Sequence, residues 1–159
     1  MVDIMLLQTV TIAITSAGVL LAATYYVLQI RHQTKLRQTD MVMRLYTTYG
    51  STENAKARLK IMDLEFEDYA DFRRKYGVDI EVRAAWNIVG LFFEGVGVLA
   101  KRKLISMDLV DDLFSSDILL VWEKMKPVAE GIRKRIGRPQ ILEWFEYLYN
   151  EDKKREQRE

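Results

Sequence analysis

The sequence predicts an all-α fold, in which one N-terminal transmembrane helix is followed by a cytoplasmic helical bundle. Three observations support this fold class. No charged residue or histidine lies between Asp3 and Arg31. The chain has 8 glycines and 2 prolines, so that few positions interrupt a helix. The alternation of polar and apolar side chains that is typical of half-buried strands is absent from the sequence.

The first element is the uncharged N-terminal segment, for which we expect a retained transmembrane helix over residues 1–31. Its 27 uncharged residues would form a helix about 40 Å long, which exceeds the roughly 30 Å thickness of the hydrocarbon core. A cleaved signal peptide would have a basic start and a shorter apolar run, whereas this segment starts with Asp3. A buried helix of a soluble protein is the remaining alternative.

The basic residues beside this segment predict its orientation. Arg31, Lys35 and Arg37 follow it directly, whereas only Asp3 precedes it. Because cytoplasmic loops carry an excess of Lys and Arg, we expect a single-pass protein of the inner (cell) membrane, with its N-terminus outside and its remainder in the cytoplasm. The three basic side chains are expected at the lipid headgroups, and a sensor of anionic lipid would use the same residues.

Polar and small residues form one stripe along the predicted span. Their spacing alternates between three and four residues, which keeps them on one side of a helix as a slowly drifting left-handed seam. Polar groups in hydrocarbon are costly without partners. The stripe therefore predicts either packing against other helices or a ring of identical helices around a wet pore. Chance is the third interpretation, because a threonine hydroxyl can bond back to its own helix. The stripe consists of Gln8, Thr11, Thr15, Gly18, Ala22, Tyr25 and Gln29, and His32 continues its spacing.

The cytoplasmic part begins with a juxtamembrane helix over residues 32–50, which Gly50 ends. A cytoplasmic helical domain is expected over residues 51–150, and a charged tail over residues 151–159. Ser51 or Thr52 can cap the first helix of the domain, which reaches about Met62. The segment "MDLEFEDYADFRRKYG" is acidic and then basic, which suits the dipole of a solvated helix.

The most apolar cytoplasmic element lies between Asp79 and Lys103. It would make a marginal membrane span because it contains Asn87 and Glu94, so that we expect a buried central helix. Ser106 can then cap a helix over "LISMDLVDDLF". A helix over "SDILLVWEKMKPVAEGIRKRIG" follows, bent near Pro127, and a final helix is expected to open at Pro139.

Polar residues in the predicted central helix point to a buried polar core. Asn87 and Glu94 share a face with Gly90 and Gly97, and these glycines predict the close approach of another helix, since each interior glycine costs about 1 kcal/mol relative to alanine. A buried carboxylate at Glu94 needs a partner. Arg133 is the expected partner.

The composition excludes several classes of site. The chain has no cysteine and one histidine, which excludes disulfides, thiolate metal sites, cysteine nucleophiles and two-histidine metal sites. The acidic segment lacks the glycine and closing glutamate of a calcium-binding loop. The net charge of +1 gives no basic field for nucleic acid. We therefore expect no metal, no cofactor and no nucleic-acid partner.

Catalysis has one candidate, Glu94, because its apolar surroundings could raise the pKa of its carboxyl group. A structural Glu–Arg pair is the more frequent use of such a residue. The sequence therefore predicts no catalytic residue and no enzymatic activity.

The blocks "FFEGVGVLAKRKLISMDLVDDLF", "WEKMKPVAEGIRKRIG" and "WFEYLYNED" resemble an uncharacterised family of small prokaryotic single-pass membrane proteins with a helical cytoplasmic domain. The resemblance covers most of the chain beyond Ala84 and implies this architecture, without an assigned activity. The residues that carry it are Phe93, Glu94, the Ile-Ser-x-x-Leu segment Ile105–Leu109, Trp122, Pro127, Arg133, Phe145, Glu146 and Leu148.

A more distant likeness, in layout only, is to the small membrane protein that accompanies certain RNA-guided CRISPR nucleases and assembles into a ring-shaped pore. Helical ribonucleases linked to such systems carry an Arg and a His with four to six residues between them. Here His32 is preceded at those distances by Tyr25, Tyr26 and Val27, so that ribonuclease activity is not expected.

Two functions remain open from the sequence. The first is a self-assembling membrane protein, in its sharper version an oligomeric pore or membrane-perturbing effector in prokaryotic defence, with homo-oligomers and membrane lipid as its partners. The alternative is a membrane-tethered helical adaptor or accessory subunit that holds a protein partner at the inner membrane face.

Overall fold

The structure is a computed structural model that describes residues 3–157. These residues form helices and no strand, which confirms the all-helical class: a long apolar N-terminal helix followed by a helical bundle. Predictions for residues 1–2 and 158–159 lie outside the described residues. The helices are α1 (Ile4–Tyr49), α2 (Thr52–Met62), α3 (Tyr69–Tyr76), α4 (Ile80–Lys101), α5 (Met107–Ile136) and α6 (Glu143–Glu156).

The helix α1 contains 46 residues, so that the predicted transmembrane and juxtamembrane helices are one continuous element. The chain divides into two compact units, of which the first ends at Asp40 and the second begins at Met41. Side chains of the first unit are exposed almost throughout, including large apolar ones such as Leu21, at 72%. The helix is long and apolar enough to cross a membrane, and none of the residues in its most apolar 18-residue stretch is buried.

The second unit is built around α4. Val82, Val89, Phe93 and Val96 recur at helical spacing, and each is at most 1% exposed, as expected for a helix with one core-facing side. The helices α2 and α6 pack most extensively against it, and α5 packs against α6. Although α4 is also long and apolar enough to span a membrane, these helices cover its apolar face. The prediction of a buried central helix is confirmed.

Side-chain caps set the starts of four helices. Ser51 and Ser106 each accept a hydrogen bond from a backbone N–H in the first turn of α2 and α5, as the sequence predicted. Asp68 and Asp79 do the same for α3 and α4. At the end of α5, Gly137 adopts a left-handed conformation with φ of 69°, which glycine favours at this position.

The last two helices differ from the sequence-based expectation. The two segments predicted before Gly137 form the single helix α5, which contains Pro127; no break occurs between Phe114 and Ile118 because both side chains are buried on the same face. The helix α6 begins at Glu143 and not at Pro139, and it continues to Glu156. The segment from residue 151 onward, which was predicted as a charged tail, is therefore helical as far as Glu156.

Candidate functional site

The predicted stripe lies on α1, where all of its side chains are exposed. Thr11 Oγ1 donates a hydrogen bond to the Leu7 carbonyl at 2.8 Å, and Thr15 Oγ1 donates to the Thr11 carbonyl at the same distance. Gly18 has no atom near the position that a Cβ would occupy. The middle of the stripe therefore consists of small side chains and hydroxyl groups that are already satisfied.

The two glutamines of the stripe are different. Within residues 3–157, neither the Gln8 nor the Gln29 side chain has a hydrogen-bond partner. They lie 21 residues apart in the sequence, which corresponds to about 31 Å of helix and matches the hydrocarbon thickness. In a centred span, the two amide groups reach the two edges of the hydrocarbon, where water and headgroups can satisfy them.

The basic residues predicted at the headgroups are available for that role. Arg31, Lys35 and Arg37 are exposed, and none of them forms an ion pair with another described residue. Just before them, the rings of Tyr25 and Tyr26 meet edge to face with centroids 6.1 Å apart.

A second candidate site lies in the helical domain, where the start of α6 rests on Gly90, Glu94 and Gly97 of α4. We call these three residues the α6-docking face. A Cβ on Gly97 would lie 2.2 Å from the Trp144 carbonyl oxygen, and one on Gly90 would lie 3.2 Å from a Leu142 methyl group. The predicted close approach at the two glycines is thus confirmed, and the approaching helix is α6.

The carboxylate of Glu94 caps α6. One of its oxygens, Oε2, accepts hydrogen bonds from the backbone N–H groups of Trp144 and Phe145, at 3.1 and 3.0 Å. Leu142, the residue at the N-cap position, has a left-handed backbone and supplies no side-chain cap. Glu94 therefore satisfies N–H groups that α6 cannot satisfy from its own sequence, at the end of the helix dipole that favours an anion.

The environment of Glu94 sets its ionisation. Burial raises the pKa of the Glu94 carboxyl, whereas the N–H groups of Phe145 and Trp144 and, more weakly, the charge of Arg133 act to lower it. This differs from the predicted pairing with Arg133. The Arg133 guanidinium binds Glu146 Oε2 at 2.7 Å and the Ile141 carbonyl at 2.8 Å.

The predicted buried polar core is correct only in part. The side chains of Glu94 and Arg133 are half-buried, but Asn87 is exposed. Asn87 and Glu94 lie at the edge of the buried face of α4. Of the two, only Glu94 lies where the start of α6 covers it.

Aromatic side chains join these polar contacts into one junction. The ring of Phe93 stacks on that of Phe145 with centroids 4.5 Å apart, and Trp122 meets Phe145 edge to face at 5.0 Å. Trp122 and Phe145 are fully buried. Most residues that carried the family resemblance therefore meet where α4, α5 and α6 join.

Two further polar clusters were missed by the sequence analysis. At the end of α1, the Arg58 guanidinium lies 3.8 Å from the centre of the Tyr49 ring and pairs with Asp117 at 3.1 Å; burial raises the pKa of Tyr49. In α6, Asp152 is fully buried. The burial of Asp152 could have been predicted, because this residue follows Leu148 by four positions and so lies on the same apolar face of the helix.

The described residues contain no group of three or more His, Cys, Asp or Glu side chains that could hold a metal ion. An open groove of about 620 Å³ lies between α3 and α5, beside Tyr69 and Pro127. The polar contacts of the α6-docking face serve to hold a helix start. What the described structure offers is therefore a membrane-length helix that carries the stripe, and a tightly joined helical domain.

Of the comparisons with known proteins, one gives a match. No curated protein and no solved structure matches the chain, so that no named relative supports the layout likeness to the pore-forming protein of CRISPR systems. A family model described as a domain of unknown function, DUF4760, matches residues 12–151. This match includes most of the α1 stripe and the whole α6-docking face, and the chain belongs to the DUF4760 family.

Proposed function

We propose that this protein is a self-associating, single-pass membrane protein, in which α1 helices of identical chains pack together through the stripe. In this proposal α1 crosses the cell membrane with its N-terminus outside, and the domain from Met41 onward lies in the cytoplasm. The asymmetric placement of Arg31, Lys35 and Arg37 supports this orientation.

The observation that carries the proposal is the composition of the stripe at membrane depth. Thr11 and Thr15 are satisfied by their own helix, and Gly18 offers open space beside the backbone. Small residues on one side of a span allow the backbones of neighbouring helices to approach closely. A water-filled lumen, in contrast, would be lined by polar groups throughout its depth, and here Gln8 and Gln29 lie about one hydrocarbon thickness apart.

Cysteine crosslinking in the membrane tests the packing. Because the chain has no cysteine, single cysteines can be placed in the stripe, as Thr15→Cys and Gly18→Cys. Ala13→Cys and Leu20→Cys are matched controls at similar depth on the opposite side of the helix. We expect disulfide-linked dimers from the stripe variants and little from the controls. Equal crosslinking from both sides, or none from either, would refute the proposal.

Two further measurements separate the alternatives. Native mass spectrometry of the detergent-extracted protein should give a defined oligomer. A monomer that co-purifies with another protein would instead support the adaptor. Reconstituted protein can also be tested for ion conductance. Conductance that is lost when Gln8, Thr11 and Thr15 are replaced by leucine would show that the stripe lines a pore, and the dry-packing proposal would then be wrong.

A further inference from the structure

The C-terminal half of α6 buries a carboxyl group that takes no part in the contact with α4. Asp152 has no exposed surface, and neither of its carboxyl oxygens has a hydrogen-bond partner in the described structure. An ionised carboxylate in this setting is strongly unfavourable. The burial of this side chain is therefore favourable only if the carboxyl group is protonated or if nearby positive charges offset its own.

The neighbouring helix α5 supplies acidic residues on this side. Asp108 and Asp111 lie in its first turns, and Arg155 of α6 lies beside both, with Nη1 2.7 Å from Asp108 Oδ1 and 4.0 Å from Asp111 Oδ2. Arg155 is thus held chiefly by the exposed Asp108. The guanidinium of Arg155, three residues after Asp152 on the same helix, is therefore bound to another carboxylate.

The other helix packed against α6 does not compensate for this. The charged groups that α4 presents to α6 are Glu94, at Phe145, and Lys101, whose Nζ lies 4.7 Å from the centre of the Tyr147 ring. Both contacts lie in the N-terminal half of α6. Neither contact of α4 lies at the end of α6 that carries Asp152.

The protonation of Asp152 follows from these surroundings. Burial raises the pKa of Asp152 to about 7, and the neighbouring carboxylate of Asp111 contributes in the same direction, whereas Ser115 and Arg155 act to lower it. A protonated carboxyl group can donate a hydrogen bond to a carboxylate, but two carboxylates repel each other.

We propose that the buried Asp152 is a proton-controlled latch, which holds the C-terminal end of α6 on α5 while its carboxyl group is protonated. Loss of this proton leaves an unpartnered negative charge at a buried position. Residues 152–157 then separate from α5, while the aromatic junction around Phe145 keeps the first half of α6 in place. The latch does not depend on self-association of α1.

Hydrogen–deuterium exchange of the full-length protein in lipid nanodiscs tests the latch. Exchange is measured from about pH 5.5 to 8.5, corrected for the intrinsic pH dependence of amide exchange. For the amides of residues 149–156, we expect the opening constant to rise about tenfold per pH unit up to about pH 7 and then to level off. In Asp152→Asn, which cannot ionise, the opening constant should not change with pH.

Two variants complete the experiment. Asp112→Asn removes an exposed carboxylate of the same helix and should follow the wild type. Asp111→Asn leaves the buried carboxyl group in place but removes its acidic neighbour, so that the transition should move to lower pH. Equal pH dependence in the wild type and Asp152→Asn would overturn the latch, as would an unmoved transition in Asp111→Asn.

Discussion

Replacing Gly97 by alanine should destabilise the helical domain, because α6 leaves no room for a methyl group. The added Cβ would lie 2.2 Å from the carbonyl oxygen of Trp144 and 2.6 Å from its carbonyl carbon. These are backbone atoms, so that a side-chain rotation cannot relieve the clash. The start of α6 must move away from α4 by about 1 Å to restore an ordinary contact.

The magnitude follows from what this movement disturbs. Overpacking of a core costs about 1–3 kcal/mol. The shift also stretches the two hydrogen bonds by which Glu94 caps α6, with a loss of about 2 kcal/mol. Alanine in a helix interior returns about 1 kcal/mol relative to glycine. We therefore expect Gly97→Ala to lower the free energy of unfolding by about 3 kcal/mol, or Tm by roughly 10 °C.

The same helix provides the control. Gly95 has no atom near the position of an added Cβ, so that Gly95→Ala should be neutral or stabilising by up to about 1 kcal/mol. Thermal unfolding followed by tryptophan fluorescence measures both variants, since all three tryptophans lie in the helical domain. Equal stability of the two variants would show that α6 does not dock on α4 as described.

Three further predictions use the same domain. Because the pKa of Asp152 is raised from its ordinary 3.8 to about 7, its contribution to stability is complete below about pH 4 and is lost as the pH rises to about 7; the thermal stability of the wild type relative to Asp152→Asn should fall by about 3 kcal/mol between pH 5 and pH 8, and parallel pH profiles would contradict this. Glu94→Ala should cost about 2 kcal/mol and Glu94→Gln less, because the amide oxygen can still accept the α6 N–H groups; equal losses in thermal unfolding would assign the effect to charge alone. A cysteine at the exposed Lys56 should react with a membrane-impermeant maleimide only after the cell membrane is opened, and labelling of intact cells would reverse the proposed orientation.

The sequence predicted those features that local signals specify. Ser51 and Ser106 precede helices as caps, Gly137 ends one, and the apolar composition of α4 identified it as the central helix. Each of these signals lies within a few residues of its effect. The close approach at Gly97 was also predictable, since a glycine within a helix needs a packing reason.

The remaining features depend on residues that are distant in the chain. The start of α6 could not be placed from its own residues, because Glu94 caps it from α4. For the same reason the partner of Glu94 is a pair of backbone N–H groups, which no side-chain pattern reveals. Asn87 shares its helical position with Glu94, one heptad earlier, yet is exposed; the difference is which residue α6 reaches.

Because α6 covers part of the apolar face of α4, the order in which the two helices are synthesised has a consequence. In a chain that enters the membrane through α1, α4 leaves the ribosome before α6 does. During that interval an apolar helix of 22 residues, long enough to span the bilayer, is uncovered beside the insertion machinery. An uncovered Glu94 opposes insertion at this stage, because a carboxylate in mid-span is costly. In a chain inserted in this way, the side chain that finally caps α6 would also disfavour insertion of α4 until α6 covers it.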